Sequence, residues 1–414
     1  MRILYFHQYF KTRGEAGGTR SFEMARRLVS AGHEVHVITA DRSGRAENGD
    51  AWWCSEEGGI QVHWTPVRYN NVMPYSDRIR AFLRYSWLAG RRGVGIPADV
   101  AFATSTPLTV AIPATFAARR QRIPMVFEVR DLWPELPIAV GALRGRVPIA
   151  MAQWLERMAY RNAAQLVALS PGMRDGMVRA GADPSRIEVI PNSCDVDLFD
   201  VGCQPGRRFR ERYPWLGDRP LVVYTGTLGR INGVTYLARV AAHMANIDAS
   251  VRFLVLGSGA EEERIRQEAH RLGVLNRSFF MAQRVAKVDM PEVLSAADVA
   301  TSLFVDVKPM WHNAANKFFD ALAARRPVMI NYGGWQAEIL ESTGAGVVVP
   351  ADEPGAAASA LHSLLKNEER MARARAAAGE LAQNRFHRDL LAEKLMRVLE
   401  RAVGHTTRES AHST

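Results

Sequence analysis

Lys317 and Asp320 lie in the string Ala314-Ala-Asn-Lys-Phe-Phe-Asp320-Ala-Leu-Ala-Ala324. Phe318, Leu322 and Ala323 fall on one side of that string at helical spacing. It follows a loop, 306–313, that leaves a short apolar strand, and it precedes a second strand at 327–331. A helix opening beyond a parallel strand points unpaired N–H groups at the crevice over the sheet. Such an end attracts anions, phosphate above all. Lys317 adds a full charge in the first turn, where a basic side chain is otherwise unfavourable. Asp320, one turn further on, can accept hydrogen bonds from sugar hydroxyls. A core helix with a solvated lysine and aspartate fits the same residues.

Other candidate groups also follow strands. Gly226-Thr-Leu-Gly229-Arg230-Ile-Asn232-Gly233 comes off the strand 221–225, and Arg230 is placed either for a diphosphate or as a solvated loop arginine. Gly257-Ser-Gly259 is a GxGxxG without its third glycine, so a dinucleotide reading is weak. Gly17 and Gly18 let backbone approach a ligand at a helix start, or form an ordinary flexible loop. Glu128-Val-Arg130-Asp131-Leu-Trp133-Pro134-Glu135 leaves the strand 125–129. Charges of both signs at a strand end form either a ligand site or an internal ion pair that braces the loop. Gly333, Gly334, Trp335 and Glu338 fall on the crevice edge shared with Asp320. Asp195-Val-Asp197 has the form of a metal-binding DxD, but it reads as part of a hinge, with no metal expected.

A repeated strand–helix alternation positions these groups. Residues 3–7 read as a buried strand. A helix follows Thr19, with Phe22, Ala25, Leu28 and Val29 at helical spacing, and Gly32 stops it before the strand 34–39. That is a βαβ unit, with a right-handed crossover and a parallel sheet. Strands at 98–103, 125–129, 165–169 and 187–190 extend it. Residues 201–220, rich in Gly, Pro and Arg, read as a linker. Strands at 221–225, 251–256, 278–281, 299–304, 327–331 and 346–349 then build a second sheet. The fold class is α/β: two Rossmann-like, doubly wound parallel-sheet domains, 1–200 and 201–384, facing a central cleft. A C-terminal helix at about 385–402 is expected to pack back on the first domain.

The 414 residues carry 53 Lys+Arg against 43 Asp+Glu, a formal net charge of +10. That balance suits an anionic partner. No aromatic-rich basic signature or helix-turn-helix accompanies it, so nucleic acid is not expected. Cys54, Cys194 and Cys203 are odd in number and lack metal spacing, which fits a reducing cytoplasm. The chain opens as a strand and not as a signal peptide, and no apolar run reaches the ~18 residues of a spanning helix. Residues 69–97 interleave Arg78, Arg80, Arg84, Arg91 and Arg92 with Ile79, Phe82, Leu83, Tyr85, Trp87 and Leu88. That pattern is a basic amphipathic helix that lies on an anionic bilayer, or a surface helix with its apolar side in the core.

Taken together, the motifs resemble the family-4 retaining glycosyltransferases of GT-B fold, over nearly the whole chain. The resemblance rests on Gly17-Gly18, Gly32-His33-Glu34-Val35, Ser170-Pro-Gly-Met173 and Ile190-Pro-Asn192-Ser-Cys-Asp195. It continues through Tyr224-Thr-Gly226-Thr-Leu228, Leu256-Gly-Ser-Gly259 and Asn316-Lys317…Asp320-Ala-Leu-Ala-Ala324. The strings 128–135 and 331–338 are similar to a bacterial branch that builds O-antigen and capsule repeats, N-acetyl-fucosamine transferases among them. The family's second paired glutamate falls on Asp320, expected to hold the ribose hydroxyls; the first falls on His312. The family's diphosphate-loop Arg and Lys fall on Thr227 and Asn232, so Arg230 and Lys317 become the candidates for that charge. The catalytic-loop His falls on Arg130, beside Asp131.

The resemblance thus implies Arg130, Asp131 and Lys317 as catalytic residues. It implies Gly17, Gly18, Gly226, Arg230, His312, Asn316, Lys317 and Asp320 as the nucleotide-sugar site. The second domain would bind the donor and the first the acceptor. The implied reaction is transfer from a UDP-linked sugar, with retention and front-face attack, to a polyprenyl-diphosphate-linked saccharide. The expected setting is the cytoplasm, at the inner face of the membrane, with no cofactor and no metal. A nucleotide-sugar 2-epimerase of the same fold, and a catalytically silent membrane-recruited subunit, are the alternatives; a NAD-dependent oxidoreductase ranks below both.

Overall fold

Continuous apolar runs such as Leu221-Val-Val-Tyr and Phe253-Leu-Val-Leu mark strands buried on both faces, as parallel sheets require. A computed structural model of the protein describes residues 1–12, 14, 18–41, 52–67 and 75–411. The chain divides into two compact units. One is built from Met1–Thr12, Thr19–Pro191 and again from Leu391 onward, the other from Asn192–Leu390 together with Gly14 and Gly18.

The first unit holds β1 (Arg2–Phe6), α1 (Arg20–Ser30), β2 (Glu34–Ala40), β3 (Trp53–Glu57), β4 (Ile60–Thr65) and α2 (Tyr75–Val94). There follow β5 (Val100–Thr104), α3 (Ala111–Gln121), β6 (Met125–Val129), α4 (Glu135–Ala139), α5 (Arg146–Asn162), β7 (Gln165–Ala168), α6 (Pro171–Arg179) and β8 (Ile187–Val189). The strands form one sheet in the order β3-β4-β2-β1-β5-β6-β7-β8. All pairings are parallel except β3 against β4. That antiparallel edge hairpin has no counterpart in the sequence reading. Its turn is Gly58-Gly59, both at positive φ, and stacked Trp53 and Trp64 rings 4.8 Å apart pin its register.

Side-chain alternation sends Ile3, Tyr5, Val35, Val37, Val100 and Phe102 to one face, where α1 and the stretch from Leu391 bury them. The other face carries α2, α3 and α5. Tyr85 of α2 donates to Ile38 O at 2.7 Å, Gly93 of α2 meets Phe6, and Tyr160 of α5 lies over Phe127. The chain runs from β1 to β2 in one direction and later resumes on the other side with β5. The crevice at the carboxyl end of β1 is therefore a topological switch point.

The second unit repeats the logic. Short helices α7 (Val196–Phe199) and α8 (Gln204–Glu211) lead into β9 (Leu221–Thr227), α9 (Thr235–Ile247), β10 (Arg252–Ser258), α10 (Glu262–Arg271) and β11 (Phe279–Ala282). Then come α11 (Met290–Ala296), β12 (Val299–Ser302), α12 (Asn316–Ala323), β13 (Val328–Ile330), α13 (Trp335–Thr343) and β14 (Gly346–Val348). The chain ends in α14 (Pro354–Lys366), α15 (Glu368–Asn384) and α16 (Arg388–Ala411). The sheet is parallel, in the order β11-β10-β9-β12-β13-β14, with its switch point beside β9. The expected linker at 201–220 is corrected here. It contains α8, whose Phe209 enters an apolar cluster with Leu216, Val223 and Leu256, and whose Gly206 lies against the Ser295 backbone. Glycine and proline at a helix start resembled a spacer, but two buried apolar side chains make it part of the core.

The glycines of the truncated fingerprint have a local cause. A Cβ on Gly257 would lie 2.2 Å from Gly226 O, and one on Gly259 2.4 Å from Leu228 O. Gly257 lets the ends of β9 and β10 pack closely, and Gly259 lets the loops after them touch.

In the first unit, α1 opens with a buried guanidinium. Arg20 donates through Nε at 3.1 Å and Nη2 at 2.8 Å to Glu128 Oε1, and reaches Ile190 O at 2.9 Å. Thr104 donates to the other carboxylate oxygen at 2.5 Å. Burial pushes Glu128 upward, yet the Arg20 charge and hydrogen bonds outweigh it and hold the carboxyl below its ordinary range. Of the two readings open for Glu128, the structure bears out the internal ion pair. Removing one partner of such a pair strands a charge at a cost of about 3–5 kcal/mol. Arg20→Met is therefore expected to lose that much in urea unfolding, and adding Glu128→Leu should recover most of it. A loss under about 1 kcal/mol in the single variant would contradict this account.

Candidate functional site

In the second unit the site begins where β9 ends. Gly226 sits at φ +133°, and a Cβ there would lie 3.4 Å from Lys317 Nζ. Lys317, the second residue of α12, therefore arches over a position kept clear of side chain. Its Nζ donates to Tyr224 Oη at 2.7 Å and lies 4.0 Å from the centre of that ring. Burial alone pushes its pKa down from 10.5 to about 7; no carboxylate among the described residues offsets it. A half-buried ammonium, held partly out of water and given only a phenol and a π face, remains short of an anion.

The α12 start has the same polarity. Ala315 occupies the N-cap and offers no side-chain oxygen, so no capping side chain meets the N–H groups of Asn316 and Lys317, while Phe318 N turns back to Ala315 O at 3.1 Å. Asn316 is half-buried in that turn. Asn192 fixes the preceding residue by donating to Ala314 O at 2.5 Å, and its Oδ1 is buried without a partner among the described residues.

Asp320 faces inward from the same helix. Its Oδ1 accepts from Lys287 Nζ at 2.5 Å, and Lys287 lies over the Phe199 ring at 4.9 Å. Burial raises the Asp320 carboxyl and Lys287 opposes the rise. A second buried pair adjoins it: Arg388 grips Asp195 through Nε and, at 2.7 Å, through Nη2. Asp195 is thus occupied, while Asp197 is exposed, so the DxD string does not present two carboxylates to one ion. Among the described residues no group of three or more His, Cys, Asp or Glu side chains is arranged for a metal.

The remaining candidates of this unit separate. Arg230 is exposed at the start of the turn beyond β9. Asn232 is buried and accepts from Gly229 N at 3.3 Å, so it braces its own loop. His312 is half-buried in the turn Lys308–His312. That turn is held by Trp311 against Gly333 and Gly334 and by the Trp335 indole donating to Asn313 O at 3.3 Å. Trp335 is itself buried against Phe319 and Phe386, while Glu338 is exposed.

In the first unit, polar groups gather at the ends of three neighbouring strands. His7 and Gln8 follow β1, Ser105 and Thr106 follow β5, and Arg130 and Asp131 follow β6. Arg130 N donates to Ser105 Oγ at 2.9 Å, and Thr106 Oγ1 donates to Asp131 Oδ2 at 3.0 Å. Burial raises Asp131, with Thr106 and Arg130 opposing. Burial and the charge of Arg130 lower His7 well below 6.5. His7 Nδ1 and both polar atoms of the Gln8 amide are buried without a partner among the described residues. Unsatisfied groups of this kind, at a switch point, suit a polar ligand. Gly18 is exposed, and Gly17 lies outside the described residues.

His7 and Gln8 escaped the sequence reading, although polar residues closing an apolar central strand were a usable signal. Tyr224 was hidden inside an apolar strand. Lys287 and Arg388 gave no local sign: their partners are 33 and 193 positions away.

Residues 16–193 match the glycosyl transferase 4-like domain family, and residues 219–367 match the family of glycosyl transferases group 1. An alpha-D-kanosaminyltransferase of Streptomyces kanamyceticus is 25% identical over 229 residues, 54% of this chain and 57% of that protein, so the chain spans little more than half of that relative's length. A colanic acid biosynthesis glycosyl transferase of Escherichia coli K12 is 22% identical over 68% of this chain and 72% of its own. The crystal structure of Anabaena HepE with UDP and glucose superposes with a TM-score of 0.71 at 17% identity, covering 97% of this chain and 99% of that one.

The depressed Lys317 has a measurable consequence. Between its folded value of about 7 and its ordinary 10.5, the unfolded chain binds the extra proton, so stability rises with pH across that window. The melting temperature of the wild type minus that of Lys317→Met is expected to increase between pH 7 and pH 10. A difference that stays flat would show Lys317 to be ordinarily solvated.

Proposed function

The chain belongs to the family-4 glycosyltransferases of GT-B fold, and from that premise we propose that it moves a sugar from a UDP-linked donor to a lipid-linked saccharide, with retention at the anomeric carbon. The observation that carries this reading is Lys317: a half-buried ammonium with no carboxylate beside it among the described residues, over a glycine, at the start of a helix. A diphosphate supplies what that environment lacks. Two phosphates bring the counter-charge, and the first amides of α12 donate to their oxygens. Arg230, exposed one loop away, adds a second cation.

In this reading the charge that develops on the leaving diphosphate is met by Lys317, Arg230 and the helix-end amides, a preorganised electrostatic role. These cations stand in for a divalent metal, so transfer is expected to persist in EDTA. Asp320 takes a ribose hydroxyl on the oxygen that Lys287 leaves open; Lys287 fixes the carboxylate's orientation. The first unit receives the acceptor. There Arg130 and Asp131, with the unpaired faces of His7 and Gln8, offer donors and acceptors to sugar hydroxyls. No helix among the described residues is long and apolar enough to cross a membrane. We place the reaction at the cytoplasmic face of one, where a polyprenyl-diphosphate-linked acceptor is held. The colanic acid transferase relative supports a role in surface polysaccharide synthesis, of O-antigen or capsule type.

A thermal-shift screen of UDP-, GDP- and dTDP-sugars tests the donor, since a ligand of the folded state alone raises the melting temperature. The UDP-sugars are expected to give the largest shift. Formation of an epimer from donor alone would assign a 2-epimerase instead, and no shift with any nucleotide would leave a silent subunit. Lys317→Ala should lower turnover by about 10²–10³-fold while the protein still melts cooperatively. A bound diphosphate raises the Lys317 pKa, so UDP binding takes up a proton above pH 7. Calorimetry should show affinity falling from pH 7 to pH 9, and Lys317→Met should abolish that slope.

A further inference from the structure

The helices α2, α3 and α5 lie side by side on one face of the first sheet. Gly90 of α2 sits under Phe116 of α3, and Arg119 of α3 donates to Asn162 of α5 at 2.6 Å. Thr115 of α3 also reaches Met158 of α5. Each helix buries one side in the core, α2 through Ala81, Tyr85 and Ala89, α5 through Ala159 and Tyr160. Each also turns apolar side chains the other way. On α2, Leu83 and Trp87 stand one turn apart, with Trp87 62% exposed. On α5, Val147, Met151 and Trp154 repeat at helical spacing, with Met151 66% and Trp154 61% exposed. Phe116 on α3 lies between them in the helix order. A soluble surface scatters such side chains singly; a band of them across three adjacent helices needs a cover.

The charge around the band is predominantly positive. The three helices carry ten arginines and two acids, Asp77 and Glu156, and Glu156 is buried beneath α5. Arg91 lies over the Trp87 ring at 5.1 Å and Arg120 over the Phe116 ring at 5.5 Å. Aromatic rings flanked by guanidiniums match the depth order of a bilayer surface, with apolar groups below and phosphates beside the charges. A second copy of the same face would set these arginines against one another, so charge complementarity selects an anionic cover. The Arg78 side chain lies outside the described residues; the others suffice. We propose that this three-helix face docks on an anionic phospholipid bilayer, with Leu83, Trp87, Phe116, Val147, Met151 and Trp154 entering the headgroup boundary. The sequence alone pointed to α2; the contribution of α3 and α5 comes from the fold.

The choice of occupant rests on the lipid-linked-acceptor reading above. The test contains no sugar, donor or acceptor, so the two fail separately. The whole protein is sedimented with vesicles of phosphatidylcholine and with vesicles that also contain phosphatidylglycerol. Binding is expected with the second only, reversed by high salt. Trp87→Ser with Trp154→Ser should weaken it by roughly tenfold or more, and so should the independent pair Leu83→Ser with Met151→Ser. Both variants should melt like the wild type and shift equally with UDP. Equal sedimentation with the two vesicle types, unweakened binding in folded variants, or a wild-type dimer that either pair dissolves would overturn the proposal.

Discussion

An ammonium held partly out of water with no carboxylate to answer it is the constraint that organises the second unit. Lys317 rests on a phenol and its ring, and the residue beneath it is a glycine at φ +133°, a backbone conformation that side-chain-bearing residues rarely adopt. A protein gains no stability from that arrangement; at neutral pH it costs stability. Functional sites are where such costs collect, since a group poised for a charged ligand cannot also be satisfied without it. The surrounding structure accepts the cost by holding α12 from several sides. Asn192 fixes Ala314, two residues before its start, Cys194 donates to Phe319 O at 3.1 Å, and Lys287 anchors Asp320.

The buried ion pairs serve that anchoring. Arg20–Glu128, Asp195–Arg388 and Lys287–Asp320 each join segments distant in the chain. Desolvating two charges is expensive, so such pairs add little net stability. Their directional hydrogen bonds instead allow few alternatives to the observed geometry. Arg20 ties the start of α1 to the ends of β6 and β8, the elements from which the polar groups of the first unit emerge. The two pairs near Asp320 do the same for the chain between α7 and α16.

In the first unit, α2 illustrates how one helix can satisfy two environments. Ala81, Tyr85 and Ala89 meet the sheet, while Leu83 and Trp87 point away from it. Small core-facing residues bring the helix close to β1: Gly93 leaves room for Phe6. The larger apolar side chains remain outside. Burial in the core and apolar exposure outward were alternatives when the sequence was read; the fold contains both.

The sequence by itself determined the α/β class, the two-sheet plan and most strand positions, because parallel strands buried on both faces must be short apolar runs. Met125–Val129 matches the sequence reading to the residue, and the shifts elsewhere are short. It also singled out Lys317, Asp320 and Gly226, since helix starts and glycine loops beyond strands are local patterns. Tertiary structure decided which charges meet. Arg20 found Glu128 across 108 positions, Lys287 found Asp320, and residues that read as a linker became α8 with Phe209 in the core. Local periodicity reports what a segment must bury. It cannot report what will bury it, because partners are chosen by sheet order and helix placement, and those arise only when distant segments compete for the same space.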